Sequence, residues 1–430
     1  MSDSPQTSGA KNVITLGLLR NLGPGLVTGA SDDDPSGIAT YSQVGAQFGF
    51  SMLWVMLFSY PLMCGIQEIS GHIGRVTGRG IAGNLRRHYH PSILYILVTL
   101  MLAANIINLG ADIGAMGAAL KLLIGGPALV YAAFFAIASA AMEMFMTYER
   151  FSGVLKWMCV ALMAYVATAF VVHIPWDIAL RATVLPSPAL NVAAVTSIVA
   201  VLGTTISPYL FFWQAQEEVE IEKANPKEHP LKKAPRQAGV QLHRIRVDTY
   251  TGMAFSNIIS YFIMLTSAAT LHMHGVTDIQ TSTQAAQALR PIAGKLAFLL
   301  FALGIAGTGL LALPVLAGSA AYAVGEAFGW KVGLSKRLPR AKPFYAVLAV
   351  AMAIGLALNF FDINPIKALF WSAVINGVVA APIMVVMMLM AQDKAVMGQF
   401  TLKRRNQILG WAATIVMAAA AVGLFATLGK

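Results

Sequence analysis

The sequence predicts an all-α polytopic membrane protein of eleven transmembrane helices, built as two inverted five-helix repeats plus one helix, with helices 1 and 6 broken. Three observations predict it. Hydrophobic residues are 57% of the chain and charged residues 11%, against about 25% charged in soluble domains. Eleven apolar runs are long enough to cross a bilayer, which takes about 20 residues. Two of those runs break at an X-Pro step, and five helices separate their starts. Interrupted spans at matching places in two halves point to a transporter of inverted repeats whose site lies between the breaks.

The runs fall near 19–47, 50–74, 92–120, 127–147, 153–173, 191–222, 249–273, 295–328, 343–361, 366–390 and 406–428. The polar start carries no cleavable-looking signal, so residues 1–15 are expected as a cytosolic tail. Spans 1–5 (16–173) form the first repeat. Spans 6–10 (191–390), with a cytosolic loop at 223–247, form the second, and 406–430 holds span 11. With the N-terminus inside, 24 of the 30 Lys and Arg fall on the cytosolic side and 6 outside. That bias fixes the orientation and puts the C-terminus outside. It also accounts for the net charge of +11 through anionic lipid headgroups rather than nucleic acid. The setting is a bacterial-type inner membrane. The chain is expected as a monomer without a cofactor. Cys64 and Cys159 both lie in apolar runs, so neither a disulfide nor a metal framework is indicated.

Span 1 contains Asp32-Asp33-Asp34-Pro35-Ser36-Gly37. One charge at a helix centre costs roughly 2.5–3.5 kcal/mol on insertion scales. Proline then removes a backbone donor. Broken backbone at membrane depth survives only where it lines a cavity or is buried in protein. Carboxylates, freed carbonyls and a cavity describe a cation site, with Asp34 beside the break as its anchor. Asp32 and Asp33 raise the local cation concentration. The blander reading puts the trio at the interface, with a helix that starts late; it suits Asp32 better than Asp34.

Span 2 ends in Ile73-Gly74-Arg75-Val76-Thr77-Gly78-Arg79, suited to a helix end meeting the cytosol. Span 3 carries Asn105, Asn108 and Asp112 on one face, for transport chemistry or for interhelical hydrogen bonds. Glu143 and Glu149 read as bundle-edge charges. Span 6 breaks at Gly203-Thr204-Thr205-Ile206-Ser207-Pro208-Tyr209, and Gln214 shares a face with Ser207. By itself that run reads as a proline kink whose hydroxyls bond freed carbonyls. The matching break in span 1 changes the balance. The loop from Ile221 to Val247 reads as a partly ordered linker of alternating charge, without a fixed ligand. Asn376 in span 10 lines the site or packs against a neighbour. His272 and His274 read as interface residues.

These residues resemble the Nramp family of divalent-metal transporters over nearly the whole chain. Gly23-Pro24-Gly25 stands eleven residues before Asp34-Pro35-Ser36-Gly37, as a Gly-Pro precedes the family's Asp-Pro-Gly-Asn. Residues 73–79 are similar to its Leu-Gly-x-Val-Thr-Gly-basic run. Ser207-Pro208-Tyr209 takes the place of Met-Pro-His. The resemblance implies a LeuT-type fold. It also implies a metal site of Asp34, Gly37 at the Asn position, Ser207 at the Met position and the Thr204 carbonyl. Tyr209 stands where the family has the histidine tied to proton movement. The two span 3 acids fall on Ala111 and Gly114, with Asp112 one place away, and span 9 lacks the basic partners.

This pattern is similar to the Nramp-related magnesium transporter branch. Oxygen ligands suit hard Mg²⁺ and Mn²⁺, whereas thioether sulfur favours softer ions. Ser36, Gly37 and Ser207 imply a roomier cavity for an ion that keeps water. The expectation is an importer of Mg²⁺ and Mn²⁺ by alternating access without proton coupling. The rivals are a proton-coupled Mn²⁺/Fe²⁺ importer, an amino-acid symporter and a channel. Asp32 to Asp34 would repel a substrate carboxylate, and paired broken helices favour a carrier over a channel. An enzyme is unsupported, because no nucleophile–base pair appears.

Overall fold

A computed structural model of the chain describes residues 28–29, 31–145, 162–186, 191–334, 336, 338–361 and 363–428. The first half of span 1, the start of span 5, Cys159 and Glu149 lie largely or wholly outside these residues. Among the described residues there is no strand. Within the described residues, each predicted span corresponds to a helix, part of a helix or a helix pair.

Helix α1 (Pro35–Phe48) is the second half of span 1, preceded by helical turns at Thr28–Gly29 and Ser31–Asp32. Helix α2 (Trp54–Thr77) leaves it across a bend of 109°. A short α3 (Ile81–His88) leads to α4 (Pro91–Ile124) and α5 (Ala128–Phe145). Helix α6 (Met163–Val171) ends span 5, and α7 (Trp176–Val184) is a short connector. Span 6 is α8 (Val192–Thr205) and α9 (Pro208–Ala224), and span 7 is α10 (Ala238–Thr270). Short helices α11 (Ser282–Gln287) and α12 (Arg290–Ala293) precede α13 (Ala297–Phe328). Helices α14 (Lys342–Leu358) and α15 (Pro365–Gln392) follow. The chain closes with α16 (Lys394–Met397) and α17 (Arg404–Leu428).

The two breaks form for local reasons. Asp34 caps α1 in an extended conformation, its carboxylate accepts from Gly37 N, and Pro35 opens the helix where no donor is needed. Helix α8 stops at Ile206, and Pro208 opens α9 in the same way. Both α1 and α8 are 14 residues long, about 21 Å at 1.5 Å per residue. Neither crosses a bilayer alone.

The halves pair antiparallel. Gly37, at the start of α1, lies against Thr204 at the end of α8. The backbone before α1 meets α9, where Tyr209 donates to Ser31 O and Thr28 to Gln214. That is the arrangement an inverted repeat requires. Glycines let the half-helices sit close to α15 and α10. A Cβ on Gly203 would stand 2.0 Å from Ala373 O, and one on Gly29 2.3 Å from Gly252 O.

Two expectations change. Glu143 is not a bundle-edge charge, for both its carboxylate oxygens are buried, without a hydrogen-bond partner among the described residues. Apolar neighbours hide that position from an inspection of α5 alone. The linker also holds more order than its charge pattern implies. Helix α10 begins at Ala238, eleven residues before the predicted span. Its charged start is held by Arg244–Glu218 and Arg246–Glu68 pairs.

Candidate metal site

Asp34 lies at the centre of the buried core. Its Oδ1 accepts from Ser36 Oγ at 2.6 Å and from Gly37 N at 2.7 Å. Its Oδ2 accepts from Asn108 Nδ2 at 2.9 Å. Asn108 Nδ2 also lies 3.4 Å from Asp112 Oδ2, and Asn376 Nδ2 reaches Asn108 Oδ1 at 3.5 Å. Helices α1, α4 and α15 thus meet in one polar chain. Asp112 Oδ1 and Asn376 Oδ1 are buried, without a hydrogen-bond partner among the described residues. An orphaned acceptor in the membrane interior is costly, and oxygen atoms of this kind suit a cation or its water.

The second break contributes differently. Ser207 Oγ donates to Gly203 O at 2.8 Å and Thr204 O at 2.9 Å. Its proton is therefore spent on freed helix carbonyls, as a proline kink predicts, and its lone pairs remain for a ligand. Thr204 Oγ1 would lie 3.2 Å from a Cβ at Gly37, with Tyr41 Cε2 at 3.2 Å and Asp32 O at 3.3 Å. The roomier cavity expected at Gly37 is absent in this conformation, because Thr204 and Tyr41 close over it. Space lies instead toward α4 and α15. A cavity of about 290 Å³ is lined by Gly110, Ala111, Asn359 and Ser372. A larger one of about 720 Å³ reaches Lys121, Gln280 and Asn364. Ala111 adjoins Asp112, and Ser372 lies one turn from Asn376.

Asp34, Gly37 and Thr204 come together with Asn376, and Ser207 braces the facing break. Gln214 does not join them; it pairs with Thr28, two turns along α9 from Ser207. Tyr209 ties the two broken spans together at 3.1 Å from Ser31 O. Asp32 and Asp33 turn to α10. Ser256 donates to both, at 2.9 and 3.1 Å, and Ser260 to Asp33 at 2.9 Å. All three aspartates are buried, which excludes the interfacial reading. Asn108 and Asp112 were expected on a polar face of span 3 but not as partners of Asp34. Asn105 leaves that group for Leu316 O and Ser319. Among the described residues, no three His, Cys, Asp or Glu cluster as metal ligands. The arrangement holds the Asp34 and Asp112 carboxylates with amides and hydroxyls at the meeting of two half-helices.

Paired half-helices around a buried polar centre define a membrane carrier, a transporter and not an enzyme. Residues 25–427 match the family described as natural resistance-associated macrophage protein-like, and the chain belongs to that Nramp family. It is 26% identical over 414 residues to the divalent metal cation transporter MntH of Aeromonas hydrophila, covering 95% of this chain and 94% of that protein. The fold is similar to the crystal structure of the Eremococcus coleocola manganese transporter, with a TM-score of 0.73, 14% identity and coverage of 99% of this chain and 90% of the other. It is also similar to MhsT crystallised with L-phenylalanine, with a TM-score of 0.60, 12% identity and coverage of 94% and 98%. The fold is of the LeuT type.

Proposed function

We propose that this divalent metal cation transporter imports Mg²⁺, and Mn²⁺ with it, by alternating access and without proton coupling. The observation that carries the reading is the composition of the site. Asp34 and Asp112 share the Asn108 amide, which Asn376 also reaches, and the Thr204 hydroxyl stands over Gly37 beside them. Oxygen suits a hard cation, and among the described residues neither a thioether nor an imidazole bonds to Asp34 or Ser207. Mg²⁺ gives up water reluctantly and binds through one or two carboxylates with waters kept. The unpartnered oxygens of Asp112 and Asn376 are placed to hold such waters. Asp34 anchors the ion, Thr204 and Ser207 offer oxygen, and Gly37 permits the close approach of Thr204. Tyr209 positions the break rather than relaying protons, since an unperturbed tyrosine titrates near 10.

The basic loops face the cytosol of a bacterial-type inner membrane, and the cavities beside Lys121 open outward. Residues 16–173 and 191–390 act as the two moving repeats, and a monomer in contact with lipid suffices.

The test is flux in proteoliposomes that enclose a pH-sensitive dye, under a Mg²⁺ gradient. Mg²⁺ entry with a flat pH trace, abolished in Asp34→Asn and only weakened in Asp32→Asn, is the expected result. Acidification that follows Mg²⁺ entry and disappears in Asp34→Asn would restore a proton-coupled importer. Full flux in Asp34→Asn would remove the site assignment.

A further inference from the structure

A cavity of about 370 Å³ lies where the turn after α2, helix α3 and the ends of α9 and α13 meet, at the opposite end of α4 from Lys121. Arg79, Arg86, Arg87 and Lys223 line it, and none of the described ion pairs involves any of them. Among the described lining residues the one carboxylate is Glu326, which accepts from Gly80 N at 2.8 Å and Gly83 N at 2.9 Å. Glu326 is thereby spent on the start of α3. A second cavity of about 550 Å³ shares Arg79 and Arg87, adds His88, Lys232 and Lys233, and has no carboxylate among its described lining residues. Positive side chains gathered around open space attract an anion. An aromatic cluster stands at the same place. Trp330 lines the first cavity and stacks on Phe328 at 5.1 Å, and Phe328 meets Tyr95 of α4 at 6.0 Å. All three rings are exposed, Phe328 by 54%. Arg86 lies against the turn that carries them: a Cβ on Gly329, between Phe328 and Trp330, would stand 2.7 Å from Arg86 Nη2. Ile96 and Leu100 extend the exposed apolar face along α4.

We propose that this cleft binds an acidic phospholipid of the surrounding membrane, its headgroup phosphate held by Arg79, Arg86, Arg87 and Lys223 and an acyl chain laid along Trp330, Phe328 and Tyr95. Guanidinium forks match phosphate oxygens two at a time, and Lys223 adds a point charge. Basic pockets between membrane helices hold headgroups of this kind. Exposed aromatic rings beside basic side chains mark the membrane–water boundary, and a soluble phosphate compound would leave that apolar face unused. The excess of Lys and Arg in the loops attracts acidic lipid in bulk. The cleft selects a single molecule, because its charges converge on enclosed space beside an apolar track. It contains none of the metal-site residues, so the lipid binds whichever ion is carried.

The experiment is Trp330 fluorescence of the full chain in phosphatidylcholine vesicles that contain a small fraction of brominated phosphatidylglycerol or of brominated phosphatidylcholine. The signal of each chain's Trp330→Phe counterpart is subtracted. In the wild type, brominated phosphatidylglycerol should quench Trp330 several-fold more than brominated phosphatidylcholine at the same fraction. Arg86→Gln and, separately, Lys223→Gln should abolish that excess. Arg340→Gln, exposed at the same end but outside both cavities, should keep it. Monodisperse elution and an unchanged unfolding temperature check that each variant stays folded. Equal quenching by the two lipids in the wild type overturns the site. Equal loss in Arg340→Gln and Arg86→Gln also overturns it, for only diffuse surface charge would then be at work. A Trp330 response to inorganic pyrophosphate in pure phosphatidylcholine vesicles, without an excess for brominated phosphatidylglycerol, would give the cleft to a soluble phosphate and overturn the lipid.

Discussion

Ser207 holds two roles that pull apart. Its hydroxyl satisfies carbonyls of Gly203 and Thr204 that Pro208 leaves free, a contribution of about 1 kcal/mol. It also stands where the resemblance places a sulfur ligand. Ser207→Met is expected to raise affinity for Cd²⁺ relative to Mg²⁺ by about tenfold, since thioether sulfur favours soft ions. Calorimetry with both metals checks this, and an unchanged ratio would mean that Ser207 only braces the break. Asp34, Thr204 and Gly37 were legible because a proline and an acid inside an apolar run admit few readings. The link from Asp34 to Asn108 and on to Asp112 was not, because it depends on the rotation of α4 against α1. Gln214 misled for the same reason. It shares a face with Ser207, yet two turns carry it past the break to Thr28.

At the scale of elements, the half-helices rest on close backbone approach. Gly203 has no room for a side chain, with Ala373 O at 2.0 Å and Gly377 N at 2.4 Å from a Cβ. Gly203→Leu is therefore expected to push α8 off α15, at a cost of about 1–3 kcal/mol, and to lower both the unfolding temperature and Mg²⁺ flux. Gly239→Leu serves as the control, since nothing lies within 4 Å of its Cβ. Equal behaviour of the two variants would mean that the α8–α15 contact does not set the geometry of the break. Apolar runs located the spans well because a bilayer demands about 20 such residues. They located the start of α10 poorly. Its first three turns are charged and owe their helix to Glu218 and Glu68, partners distant in sequence.

In the whole molecule the two ends differ. One end holds the cavities beside Lys121 and Asn359. The other carries ion pairs beside two further cavities, of about 370 and 550 Å³, that reach Arg79, Glu326 and Lys232. Glu68 on α2 accepts from Arg246 on α10 and from Arg405 and Asn406 on α17. Glu218 on α9 meets Arg244. Arg75, fully buried, pairs with Glu228 of the linker, whose backbone at Leu231 and Lys232 also bonds to Arg75 O and Val76 O. In the alternating-access cycle proposed above this polar network must loosen, and its strength sets how often it does. Removing Glu228 takes the paired carboxylate from the buried Arg75 guanidinium and so favours opening. The reporter is Gln214→Cys on α9, in a chain carrying Cys64→Ala and Cys159→Ser. Adding Glu228→Ala to that chain is expected to speed its modification by a water-soluble thiol reagent several-fold. Adding Asn364→Ala, at the opposite end, should leave the rate unchanged. Equal rates with and without Glu228→Ala would show that the linker decorates this end without holding it closed.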